Sequence, residues 1–202
     1  MTSDPGRGHL VVALHGYAGT GTEMAQVLVR STAFRSDMSV HAPDGSHDAP
    51  LVGSGHAWFP LTSVRAALGE RARAASAPVL DVVTALQRRH AVTRERTTLV
   101  GFSQGATLVA ALLERPDPPF ERAVLVCGRL PERAAGHPVP CIVLVVVGEH
   151  DQFAHPRTVR ADVASSAVRD RATIVQVPGM AHEFSDAAAH LTLVHARTAE
   201  HP

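Results

Sequence analysis

The sequence predicts an α/β fold on a mostly parallel sheet. Short apolar runs alternate with helical patterns along the chain, as in strand–helix–strand units. The strongest runs are apolar at every position rather than every second one, the pattern of strands covered on both faces. Several runs end in turns rich in Gly, His, Asp or Ser, at the strand ends where ligand sites of open sheets gather. At 202 residues the chain suits one domain and is too short for two full ones.

His9–Leu14 (HLVVAL) is the first strand, ending in His15-Gly16. Thr22–Arg30 is a helix with Met24, Val27 and Leu28 on one face. Ser39–Ala42 is a weaker strand closed by Pro43-Asp44-Gly45. Gly45–Leu61 then forms a loop too long for an ordinary connection, which marks it as functional or disordered. Trp58-Phe59, the only adjacent aromatics in the chain, favour a function. Pro78–His90 is a helix with Pro near its first position and Val79, Val82, Val83 and Leu86 at helical spacing. Thr97–Phe102 (TTLVGF) is a strong strand, and Gln104–Glu114 is a helix that stops before Pro116. Ala123–Cys127 and Cys141–Val147 are strands. The seven apolar, β-branch-rich residues of the second fit only the buried middle of a sheet. Pro156–Asp170 is a helix, Thr173–Val177 the sixth strand, and Ser185 caps a last helix with Ala188, Leu191 and Val194.

Composition excludes several classes. Hydrophobic residues make up 45% and charged residues 19%, enough apolar material for a core. Every basic residue is Arg, and the 19 of them balance 19 acidic residues, so no basic footprint for nucleic acid or a membrane surface exists. The absence of Lys and Asn, with only two Ile, reflects codons of a GC-rich, bacterial genome. No apolar stretch reaches the roughly 18 residues of a spanning helix. Only Leu10–Leu14 follows Asp4 and Gly6, too short for a signal-peptide core, so the expected location is cytoplasmic.

Gly101-Phe102-Ser103-Gln104-Gly105 is a G-x-S-x-G. Such a pattern arises often by chance and then marks an ordinary strand–helix turn. Here a strand precedes it and a helix follows, as a nucleophile elbow requires. In an elbow the Ser sits on a strained turn, small residues two before and two after let backbones approach, and the next N–H faces the developing oxyanion. A serine at neutral pH needs a base, and the base an orienting acid, in chain order Ser, acid, His. Gly148-Glu149-His150-Asp151 follows the fifth strand and Pro178-Gly179-Met180-Ala181-His182 the sixth. Asp151 is therefore the expected acid and His182 the base. Glu149 competes for the acid role but follows its strand too closely. His190 and His195 fall in or beyond the last helix and read as surface residues. The turn Leu14-His15-Gly16-Tyr17-Ala18-Gly19 supplies a second oxyanion N–H at Tyr17, beside that of Gln104. Those glycines would otherwise open a helix or cradle a phosphate, but G-x-G-x-x-G is absent and the lysine-bearing phosphate loop cannot occur.

Two further groupings carry no expected site. His41, Asp44, His47, Asp48 and His56 match no metal-ligand spacing, and 13 histidines make chance clusters common, so no metal is expected. Cys127 ends one strand and Cys141 begins the next, which places them roughly 20 Å apart at about 3.3 Å per residue, beyond disulfide reach. Six of the eight aromatics (Tyr17, Trp58, Phe59, Phe102, Phe153 and Phe184) lie near proposed catalytic groups or in the long loop. Trp58, Phe59, Phe153 and Phe184 are therefore candidates for substrate contact, on the pattern of apolar ligand pockets.

LHGYAGTG, GFSQGATL, CGRLP, GEHDQF and GMAHE occur in that order. On these motifs the chain, from His9 onward, resembles the phospholipase/carboxylesterase family of small α/β-hydrolases, which includes bacterial carboxylesterases and acyl-protein thioesterases. The resemblance implies a single-domain α/β-hydrolase with six strands in spatial order 2-1-3-4-5-6, and Ser103, Asp151 and His182 as triad. It implies no cofactor, and a small-molecule substrate in the form of a short- to medium-chain acyl ester or thioester. It also places the Trp58 loop beside the acyl pocket. The sequence departs from the family's usual pattern in three places. Few residues precede the first strand, Tyr17-Ala18 stands where H-G-L-G is common, and Cys127 stands where Ser is frequent. Two other functions fit the same residues: acyl transfer from a carrier to an acceptor other than water, and a binding or scaffold protein that kept the fold without activity.

Overall fold

The computed structural model describes residues 8–50, 54–131 and 138–197. The N-terminal Asp4 and Gly6, and Gly53 of the long loop, lie outside them. Strands β1 (His9–Leu14), β2 (Met38–His41), β5 (Thr97–Phe102), β6 (Arg122–Val126), β7 (Ile142–Gly148) and β8 (Ala172–Val177) form one sheet. Its order is β2-β1-β5-β6-β7-β8, the expected one, and every neighbouring pair runs parallel. The order reverses between β1 and β5, so the β5 carboxyl end is a topological switch point. A two-residue antiparallel pair, β3 (His47–Asp48) with β4 (His56–Ala57), stands apart from this sheet.

Helices cover both faces, which is why the strands are apolar throughout. Leu10, Val12 and Leu14 of β1 enter one core with Ala72, Val79, Leu108 and Val159, from helices α2 (Arg65–Ala74), α3 (Ser76–His90), α4 (Gln104–Leu112) and α5 (Pro156–Ala164). Val11 and Ala13 enter the other, with Met24 and Leu28 of α1 (Gly21–Arg30) and Ala188 and Leu193 of α6 (Asp186–Arg197). None of these helices is long and apolar enough to cross a membrane, among the described residues. The starts of α1 and α6 are set locally. Thr20 and Glu23 form a capping box, and Ser185 Oγ accepts from the Ala188 N–H at 3.3 Å.

Three elements differ from expectation. Helix α2 was not legible as an amphipathic pattern, because its sequence RAALGERARA carries a single Leu among three Arg. The helix expected over Pro156–Asp170 stops at Ala164, where Ser165 and Ser166 hydroxyls take the carbonyls of Asp162 and Val163. The Gly45–Leu61 loop contains the β3–β4 pair and is tied to the turn after β1. Ala18 N–H donates to His56 O at 2.9 Å, and His56 N–H donates to Gly19 O at 3.0 Å.

Candidate active site

Ser103 lies between β5 and α4 with φ 52° and ψ −110°, a region that L residues avoid. Its neighbours explain why the sequence must be glycine on either side. A Cβ on Gly101 would collide with the Gly105 backbone, and one on Gly105 with the Leu14 carbonyl. The packing of β5, α4 and β1 thus holds a strained serine in place, a conformation that costs on the order of 1–3 kcal/mol. Gln104 is the first residue of α4, where N–H groups have no intrahelical acceptor and the helix dipole favours negative charge.

His182 and Asp151 reach Ser103 from adjacent strand ends. Ser103 Oγ lies 2.9 Å from His182 Nε2, and His182 Nδ1 lies 2.8 Å from Asp151 Oδ2. Asp151 Oδ1 accepts from the N–H groups of Phe153 and Ala154 at 2.8 and 2.7 Å. Asp151 is fully buried, which by itself disfavours its charge. The Ala154 N–H, the imidazole and the neighbouring Cys127 thiol outweigh that burial and hold the carboxyl below its ordinary range. An ionised Asp151 requires the proton of the neutral imidazole on Nδ1, which leaves Nε2 to accept from the serine hydroxyl. Glu149 faces elsewhere: its carboxylate accepts from the Gly179 N–H at 2.8 Å, and it makes no contact with His182. His190 is exposed, as expected; His195 instead is half-buried, 3.4 Å from the Ile142 carbonyl.

The turn carrying Tyr17 is held by His15. Its Nε2 accepts from the Gly45 N–H at 2.9 Å, so the proton sits on Nδ1, which donates to Gly16 O at 2.7 Å. Burial lowers the His15 pKa, in keeping with this neutral tautomer. Gly16 packs so closely that an added Cβ would press on the Phe102 ring and Ser103 Cβ. Tyr17, which follows Gly16, lines one cavity with Ser103 and Gln104.

Trp58 and Phe59, candidates for substrate contact, are not brought to the serine. Both are core residues, 7% and 2% exposed, and neither lines the cavity at Ser103. Trp58 Nε1 donates to His15 O at 2.8 Å. The buried Gln104 side chain accepts from Trp58 N–H at 2.9 Å and donates to Phe59 O at 2.7 Å. The loop thus supports the site from beneath, because its aromatic rings are the apolar groups available to cover the core there. The cavity wall comes instead from Leu61, Leu68 of α2 and Phe153, around a volume of about 140 Å³. Leu61 was in the loop expected to border the site. Leu68 was missed with its helix, whose run of Ala, Leu, Glu and Arg, all strong helix formers, was the available signal. Phe184 lines a second cavity nearby, of about 230 Å³.

Cys127 also reaches the site. Its thiol lies within 4.8 Å of donor atoms of Asp151 and His182, the one such convergent trio among the described residues. Burial and the adjacent Asp151 charge push its pKa up to about 12, which favours the neutral thiol over the nucleophilic thiolate. Asp151 and His182 are already committed to each other. Among the described residues the histidine cluster gathers no three ligands: His41 packs on His90, and Asp44 accepts from the Gly21 N–H and lies 3.9 Å from His56 Nε2. Cys127 and Cys141 are unbridged.

A six-stranded parallel sheet with a serine elbow at its switch point defines an α/β-hydrolase. Residues 3–192 match the Phospholipase/Carboxylesterase family, and the chain belongs to it, a family of ester hydrolases. The structure is similar to esterase PE8 (24% identity, TM-score 0.74, 95% of this chain and 92% of that one). It is also similar to carboxylesterases from Mesorhizobium loti (18%, TM-score 0.75, 92% and 87%) and Bacillus cereus (14%, TM-score 0.74, 96% and 91%). No curated protein matches the sequence.

Proposed function

We propose that the protein hydrolyses short- to medium-chain carboxylic esters or thioesters through an acyl-enzyme on Ser103. One observation carries this reading: the unbroken run of hydrogen bonds from Ser103 Oγ through His182 to a buried Asp151. His182 Nε2 takes the hydroxyl proton as Oγ bonds to the carbonyl carbon. The oxyanion faces the N–H groups of Gln104 and Tyr17. As the tetrahedral species collapses, the bond to the alcohol or thiol breaks and His182 returns the proton to the departing atom. Water then repeats the sequence against the acyl-enzyme and frees the acid. Asp151 holds the imidazole in the required tautomer throughout. The cavity of about 140 Å³, walled by Leu61, Leu68 and Phe153, suits a short acyl arm.

The test is kcat/KM over esters and thioesters of graded acyl length, with Ser103→Ala as control. The wild type should show an optimum at short to medium chains. The variant should fall by several orders of magnitude, because loss of a triad member leaves only about 10³–10⁴-fold over water. An unchanged Ser103→Ala enzyme would overturn the reading.

A further inference from the structure

We infer that the second cavity beside Ser103 is the leaving-group subsite, and that it takes an uncharged alkyl arm of the departing alcohol or thiol. This rests on acyl transfer at Ser103 and concerns which part of the substrate goes where. The carbon bonded to Oγ carries an oxyanion, an acyl arm and a leaving atom, and the leaving atom must lie within reach of His182 Nε2. Two arms need two spaces, and two adjoin. One contains Ser103 and His182 and is walled by Leu61, Leu68 and Phe153. The other opens across Gly16–Tyr17 against α1 and is lined by Met24, Val27, Phe102 and Phe184. Tyr17 borders both.

The imidazole connects them. Phe153 of the first cavity packs on it at 5.0 Å between ring centres, and Phe102 of the second at 5.2 Å. A group that takes the proton from Ser103 and returns it to a departing arm is thus in contact with the walls of both. The second cavity is mainly apolar, which suits alkyl groups. Glu23 is the acidic group on its wall, its carboxylate fixed by the Thr20 N–H and hydroxyl at 3.2 and 2.9 Å. A carboxylate there disfavours a phosphate- or sulfonate-bearing arm.

Two ester series separate the arms: acetates of methanol, butanol and hexanol, and methyl esters of acids of the same lengths. Val27→Phe narrows the second cavity and Val27→Ala widens it. Val27→Phe should lower the ratio of kcat/KM for hexyl acetate over methyl acetate on the order of 10-fold, the scale of pocket discrimination for small apolar groups. It should leave the ratios within the acyl series as in the wild type. Val27→Ala should shift the alcohol series towards longer arms, and carries the test alone if the Phe variant does not fold. A ratio change in the acyl series instead, or equal losses on every ester, would overturn the assignment. A wild-type enzyme inert towards every ester of both series would defeat the hydrolase reading itself, a result distinct from either.

Discussion

Asp151 and Glu149 are two residues apart, yet their surroundings give them different chemistry. Asp151 is buried and bonded to His182, whereas Glu149 is spent on the Gly179 N–H. Asp151→Asn should leave the fold intact and lower kcat by about 10⁴, because an amide favours the wrong imidazole tautomer. Glu149→Gln should change kcat little; steady-state kinetics on one ester compares them, and a larger loss in Glu149→Gln would move the acid assignment. The pH profile is set at this scale as well. Asp151 keeps its charge below the ordinary carboxylate range, so it does not contribute to the acid limb. The kcat/KM profile should therefore show a limiting slope of at most one on its acid limb. A slope of two would mean that Asp151 titrates there as well. The strained Ser103 and its flanking glycines were legible in five letters, because the elbow's spacing follows from backbone collisions at Gly101 and Gly105.

Among the elements, the loop from Gly45 to Leu61 and helix α2 changed most between sequence and structure. The loop's importance was legible from its aromatics, but not its role, because a tryptophan that lines a pocket and one that closes a core have the same one-dimensional signature. Burial and the Trp58 Nε1–His15 bond assign it to the core. Trp58→Ala should destabilise the protein by about 3–5 kcal/mol, as for large aromatic truncations. Any loss of activity should be equal across acyl lengths. Denaturant unfolding with the ester series measures both, and a loss that grows with acyl length in a fully stable variant would return Trp58 to the pocket wall. Helix α2 is hidden in the sequence for a different reason. Its contact with the core depends on Ala72 and a single Leu68, too few apolar residues to set a period.

At the scale of the whole molecule, the strand order and the parallel sheet were legible, and so was the meeting of Ser103, Asp151 and His182 at the sheet's carboxyl edge. Strands buried on both faces and residues at strand ends leave strong local patterns, whereas cavities are made by side chains distant in sequence. The fold also buries several histidines. Burial lowers the pKa of His15, His41 and His195, and takes His9 to about 4. Below about 6.5 the unfolded chain takes up protons that these folded histidines refuse. Stability should therefore fall as pH drops from 7 to 5, with Tm lower by at least ~5 °C in calorimetry. The Asp151 contribution runs later: it is present above the unfolded carboxylate pKa of about 3.9 and is lost as pH falls below that value. A Tm that is flat from pH 7 to 5 would contradict the histidine account.

Chemistry that passes through a covalent ester on Ser103 leaves an intermediate that can be trapped. Acid quench of the enzyme during turnover of a short-chain ester, followed by peptide mass spectrometry, tests it most directly. An acyl mass increment should appear on the peptide containing Ser103, absent from Ser103→Ala and accumulating more slowly in Asp151→Asn. Steady hydrolysis with no adduct at Ser103, or an adduct on Cys127 or another residue, would contradict it.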